Sequence, residues 1–104
     1  MNFKKTLVTL AATVACSAAL ADVNIGVILP LTGPASGLGI PAKNQIALWP
    51  TSIGGEKINV TVLDDATDPG KGAANARRFV TEDKVDLIFG SCITAVAAAM
   101  TDIA

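Results

Sequence analysis

The apolar positions of this chain gather into three short runs, each followed by a turn and a stretch of helical spacing. Val23-Asn24-Ile25-Gly26-Val27-Ile28-Leu29 is the first run, closed by Pro30. Its unbroken apolar end predicts a strand buried on both faces, as in a parallel sheet. Residues 30–39 carry three Gly and two Pro and read as a loop. Ala42, Ile46 and Trp49 recur at i, i+4 and i+7, which predicts a helix over 42–49 that Pro50 stops. Gly54-Gly55 marks a turn, and residues 58–63 alternate apolar and polar before a buried end, a second strand. Asp68 reads as a helix cap with Pro69 in the first turn. That helix extends to about Glu82, with Ala73, Ala76 and Val80 on its apolar stripe and Phe79 beside it. Residues 85–89 form a third strand, 90–94 a turn, and 95–104 open a third helix.

The order βαβαβα defines an α/β fold with a parallel sheet, right-handed crossovers and local strand order 2-1-3. Strands one and three are then neighbours, with their crossovers on opposite faces. Their carboxyl ends open a crevice of the kind where such sheets bind ligands. The loops over 29–39 and 90–94 face it.

The N-terminus follows a different pattern. Two lysines in the first five residues precede an uncharged, mostly apolar stretch from Thr6 to Leu20. Ala19 and Ala21 then stand at −3 and −1 to a cut before Asp22, which completes the pattern of a secretory signal peptide over 1–21. The stretch is short for a helix spanning a bilayer core about 30 Å thick. A lipoprotein reading would acylate Cys16, but Thr13 at −3 is a poor match. Cleavage would leave residues 22–104 with 6 basic and 9 acidic residues and Cys92 as the sole thiol.

Composition narrows the chemistry. A net charge of −1 over 104 residues argues against nucleic acid as a partner. The chain has no His, which removes imidazole acid–base chemistry and His metal sites. No catalytic constellation, metal cluster or cofactor motif of any strength is evident. Gly37-x-Gly39-x-x-Ala42 is a weak form of a dinucleotide fingerprint, with Pro41 awkward inside it. Asp64-Asp65 has the residue types of a metal or phospho-acceptor site, yet adjacent Asp side chains diverge; hydrogen bonds that brace the turn fit better. Cys92 lacks a basic partner and reads as a small polarisable pocket residue. The loop over 90–94 offers hydroxyls on Ser91 and Thr94, and backbone N–H groups from Cys92 to Thr94 at a helix start, a setting that suits a carboxylate. Helix capping by Ser91 or Thr94 is the competing explanation.

Several segments together resemble one family. Asn24-Ile25-Gly26-Val27-Ile28-Leu29-Pro30-Leu31-Thr32-Gly33-Pro34, with Gly39 and Lys43-Asn44, is similar to the mature start of branched-chain amino-acid type periplasmic binding proteins of ABC importers. Asp64-Asp65-Ala66-Thr67-Asp68-Pro69 resembles their acidic turn after strand two, and residues 79–91 resemble their passage from helix two to strand three. The resemblance implies a non-enzymatic solute receptor of the periplasm. Its two Rossmann-like lobes would close on an amino acid, amide or carboxylic acid and present it to importer membrane subunits. It implies ligand contacts at Ser91, Cys92, Ile93 and Thr94, with further contact from Ser36 and Leu38. Leu38 stands where amino-acid binders often carry an aromatic residue. Residues 22–104 would supply only part of the first lobe, an incomplete three-layer unit, so the expected affinity of this chain alone is weak. A self-contained exported α/β interaction module is the alternative.

Overall fold

The computed structural model describes residues 21–104, so the expected signal sequence lies, but for Ala21, outside the described residues. Among the described residues four strands, β1 (Val23–Leu29), β2 (Ser52–Ile53), β3 (Glu56–Asp64) and β4 (Leu87–Phe89), form one sheet in the order β2-β3-β1-β4. Strand β1 (Val23–Leu29) is central. It pairs in parallel with β3 (Glu56–Asp64), from Val23 opposite Ile58 to Leu29 opposite Asp64. On its other side it pairs in parallel with β4 (Leu87–Phe89), Ile25 opposite Leu87 and Val27 opposite Phe89. Neighbours on both edges and helices over both faces explain the unbroken apolar run: Val27, Ile28 and Leu29 are buried.

The three parallel strands have the expected order, and a short antiparallel strand extends them. Strand β2 (Ser52–Ile53) folds back on β3 through Gly54 and Gly55, whose φ values of +60° and +85° are those a two-residue hairpin turn requires.

Helix α1 spans Ser36–Ile46, starting six residues before the expected helix and ending before Trp49. The glycines that made this stretch read as a loop have another purpose. A Cβ on Gly39 would lie 2.1 Å from the carbonyl oxygen of Pro30, so the helix lies directly on the end of β1 and only Gly fits. The fingerprint glycines therefore lie within a helix and not in a strand-to-helix turn. Leu48 and Trp49 close the element with bonds from their N–H groups to the carbonyls of Gln45 and Ile46.

Helix α2 (Pro69–Arg78) begins as expected, with Asp68 Oδ1 accepting from the Lys71 N–H at 2.7 Å. It continues into a π turn, Phe79–Asp83, closed by a bond from the Lys84 N–H to the Phe79 carbonyl. Val80, expected on the buried stripe, is 45% exposed, whereas Phe79 is fully buried. The reason is a hole in the sheet: a Cβ on Gly26 would meet the Phe79 ring at 2.6 Å, so the ring fills the space that Gly26 leaves.

Strand β4 begins at Leu87 and not at Val85: the Val85 N–H is held by the Phe79 carbonyl at 3.1 Å, and the Asn24 N–H bonds to the Asp86 carboxylate at 2.8 Å. Helix α3 spans Thr94–Met100, shorter than expected, and turns follow. It packs on α2 where a Cβ on Gly72 would strike Val96. Ile28, Ala76, Phe79, Val96 and Met100 form the core between these helices and the sheet. Leu29 follows Ile28 in the strand, so it faces the opposite side, where Ile46 of α1 lies beside it.

Candidate functional site

The carboxyl ends of β1, β3 and β4 carry three loops, and Asp64 and Asp65 tie them together. Asp64 ends β3 opposite Leu29. Its Oδ1 accepts N–H bonds from Leu31 at 2.9 Å, Thr32 at 3.2 Å and Ala66 at 2.8 Å, and its Oδ2 accepts the Thr32 hydroxyl at 2.6 Å. Burial alone raises the Asp64 carboxyl. The Thr32 hydroxyl and the Ala66, Thr32 and Leu31 N–H groups outweigh it, and the group falls from its ordinary 3.8 to about 2. A carboxylate acting this way is a structural anchor, ionised throughout the neutral range.

Asp65 points elsewhere, as adjacent side chains at a strand end must. It is fully buried. Its Oδ1 accepts the Thr67 N–H at 2.7 Å, and its Oδ2 accepts the Ser91 hydroxyl at 2.7 Å. Ser91 follows β4, so this bond crosses the end of β1 and joins the loops of the two outer parallel strands. Ala66 and Thr67 both adopt left-handed φ, 52° and 63°, unusual for residues with a Cβ. The carboxylate two residues before each one holds its N–H, and the Thr67 hydroxyl reaches across to the Ala35 N–H and the Thr32 carbonyl. Gly33, with φ of +82°, permits that contact: a Cβ there would lie 2.6 Å from the Ala66 carbonyl oxygen. Charged hydrogen bonds of this kind contribute about 1.5–3 kcal/mol each, enough to offset a strained backbone.

The candidate ligand residues occupy varied settings. Ser91 is half-buried, and its Oγ also accepts the Ile93 N–H at 3.2 Å. It is therefore not the cap of α3: Ile93 holds that position, and no side chain caps the helix. Thr94 is the first residue of α3 and is exposed. The Ile93 side chain packs against the core, and its backbone is engaged as well, the N–H on Ser91 Oγ and the carbonyl on the Ala97 N–H. Ser36 and Leu38 belong to the first turn of α1, and Leu38 is 58% exposed. Cys92 is a free, exposed thiol lining a cavity of about 240 Å³ with Leu29, Gln45, Ile46, Trp49 and Phe89. The Trp49 and Phe89 rings meet edge to face there, their centroids 6.2 Å apart. Cys92 thus joins the α1 side, while Ser91 is tied to Asp65.

The Asp65–Ser91 link was not evident from the sequence, because the two residues are 26 positions apart. The signal that could have found it is the strand order itself, which brings the ends of β3 and β4 to either side of β1. Among the described residues no group of three or more His, Cys, Asp or Glu is placed to hold a metal ion.

An α/β sheet with loops braced at its carboxyl edge is a frame for binding small molecules. A family model for periplasmic binding proteins matches residues 22–104. A Leu/Ile/Val-binding protein homolog from Brucella melitensis biotype 1 is 36% identical over 99% of this chain, and the chain spans 30% of that relative's length. An extracellular ligand-binding receptor from Rhodopseudomonas palustris HaA2 superposes with a TM-score of 0.77 at 42% identity, over 80% of this chain and 23% of the receptor. A solute-binding protein of an ABC transporter from Rhodopseudomonas palustris BisB5, solved in complex with 3,4-dihydroxybenzoic acid, superposes with a TM-score of 0.72 at 33% identity, over 75% of this chain and 23% of that one. The chain belongs to the periplasmic binding protein family, which binds solutes and is not enzymatic. Its sheet and helices are those of type I members of that family.

Proposed function

We propose that this chain is solute-capturing sequence from an ABC importer's periplasmic receptor, taking an amino acid or a related small carboxylate or amide. In this reading residues 1–21 direct export and are removed after Ala21. Residues 22–104 supply part of one lobe and one wall of a ligand cleft. Ser91, Cys92, Ile93 and Thr94 meet the ligand's polar groups, with Ser36 and Leu38 beside them, and importer membrane subunits receive the solute. The family match over residues 22–104 carries the reading. The braced loops support it, because Asp64 and Asp65 hold the loops after β1 and β4 in one arrangement before any ligand arrives. Pre-ordered loops lose less entropy on binding.

The ligand classes follow the relatives, one a Leu/Ile/Val-binding homolog and one solved with an aromatic acid. The test is a titration of the ¹⁵N-labelled chain with leucine and, separately, with 3,4-dihydroxybenzoate, followed by amide chemical shifts. Millimolar-range shifts confined to residues 91–94 and 36–38 are expected. No shift in these loops with either compound would refute the placement. Micromolar affinity by calorimetry would refute the claim that this chain supplies only one wall.

A further inference from the structure

We infer that Asp65 is a positioning residue that sets the hydrogen-bonding polarity of Ser91, and so selects a donor group on the ligand at that point. The inference rests on the reading of residues 91–94 as ligand contacts. A serine hydroxyl has one proton and two lone pairs. The proton is committed to the buried Asp65 Oδ2 at 2.7 Å. A carboxylate can only accept, so this bond cannot reverse. One lone pair takes the Ile93 N–H at 3.2 Å. The other remains, and it accepts. Ser91 Oγ therefore meets an N–H or O–H of the ligand, such as an ammonium, and cannot donate to a ligand carboxylate. Asp65 is held in turn, because its Oδ1 is occupied by the Thr67 N–H at 2.7 Å.

That occupancy makes the inference testable by a single-atom change. In Asp65→Asn the side-chain oxygen must stay on the Thr67 N–H, which places the NH₂ group against Ser91 Oγ. Ser91 then becomes the acceptor toward residue 65, and its own proton is released to donate outward. The shape is kept and the polarity is inverted.

The experiment compares two probes that share one isopentyl group, isopentylammonium and 4-methylpentanoate, titrated into the ¹⁵N-labelled chain and read at the amides of residues 91–94. The ammonium should shift them at about fivefold lower concentration than the carboxylate, the size of one ordinary hydrogen bond. Asp65→Asn should level or reverse that order. Ser91→Ala keeps the Asp65 charge but should lose the preference, while Ser91→Thr should keep it. A preference that survives in Ser91→Ala would trace to the field of the carboxylate and overturn the inference, as would an unchanged order in Asp65→Asn. If Asp65→Asn does not fold, the two Ser91 variants decide the matter alone. Absence of loop shifts with either probe and with leucine is a separate result: it refutes the ligand reading of the loop, and the inference with it.

Discussion

The two faces of the sheet are built differently. On one, α2 and α3 seal the core of Ile28, Ala76, Phe79, Val96 and Met100, and the close approaches at Gly26 and Gly72 leave no room for a Cβ. On the other, among the described residues, α1 alone lies over β1, and a cavity of about 240 Å³ remains between it and β4. Phe89 and Leu87, which alternate to this face, are 52% and 54% exposed, and Leu48 beyond α1 is 84% exposed. More of the core therefore lies on the sealed face. The open one buries Val27 and Leu29 beneath α1 and adds the Trp49–Phe89 contact and the Cys92 cavity. The loops of the candidate site lie at the sheet end where both faces meet, held by the Asp64 and Asp65 bonds and tied to α2 by the bond from Asn75 Nδ2 to the Asp64 carbonyl.

Aromatic truncation on each face breaks the comparison most directly. Phe79→Ala should cost about 3–5 kcal/mol, because the ring is fully buried against Gly26 and no neighbour can fill the void. Phe89→Ala on the open face should cost under about 1 kcal/mol. Urea midpoints of the two variants measure both, and equal losses would mean that the faces share the load. Gly26→Ala should follow at about 1–3 kcal/mol, since its new Cβ would press on the Phe79 ring at 2.6 Å. Combining it with Phe79→Leu should recover part of the loss, which the same midpoints would show.

The brace responds to acid. The Asp64 carboxyl is lowered from 3.8 to about 2, so the folded state holds this proton less tightly than the unfolded chain does. Its stabilisation is complete above about pH 4 and is lost as pH falls toward about 2. Melting temperature should decline over that window. Asp64→Asn should lower it at neutral pH and flatten the acid decline, and an unaltered slope in the variant would assign the acid sensitivity to other carboxylates.

The three parallel strands and their order were legible in the sequence because periodicity and β-branching act locally. The Asp64–Asp65 brace was legible in kind, since two adjacent acids at a strand end diverge. Three features were not. The first turns of helix α1 were hidden because Gly37 and Gly39 look like loop residues, whereas Gly39 is demanded by contact with Pro30, a tertiary cause. The exchange of Phe79 for Val80 in the core depends on a hole at Gly26 in a distant strand. The commitment of the Ser91 proton to Asp65 needs the sheet order before it can be seen. Ser91 was a candidate from its loop and residue type alone, but the direction of its bond to Asp65 is set across the sheet.

The smallest effect expected on folding lies at the outer edge of β4, the edge strand of the sheet on this side. Leu87 there is 54% exposed, with Val80, also exposed, lining the same shallow groove. An edge strand with apolar side chains offers free backbone groups and a greasy surface to a second molecule, and lysine at such positions prevents the pairing. Leu87→Lys should thus change the urea midpoint by no more than about 0.5 kcal/mol. Its visible effect should be on association: at high protein concentration, sedimentation velocity should show less self-association than the parent chain. The contrast with Phe79→Ala is the point of the experiment, since one substitution acts on folding and the other on contact between folded molecules. A stability loss at Leu87 comparable to that at Phe79 would show that the open face stabilises the fold as much as the sealed one, and parent-like self-association in Leu87→Lys would move the sticky surface away from β4, to Leu48 or Ile53.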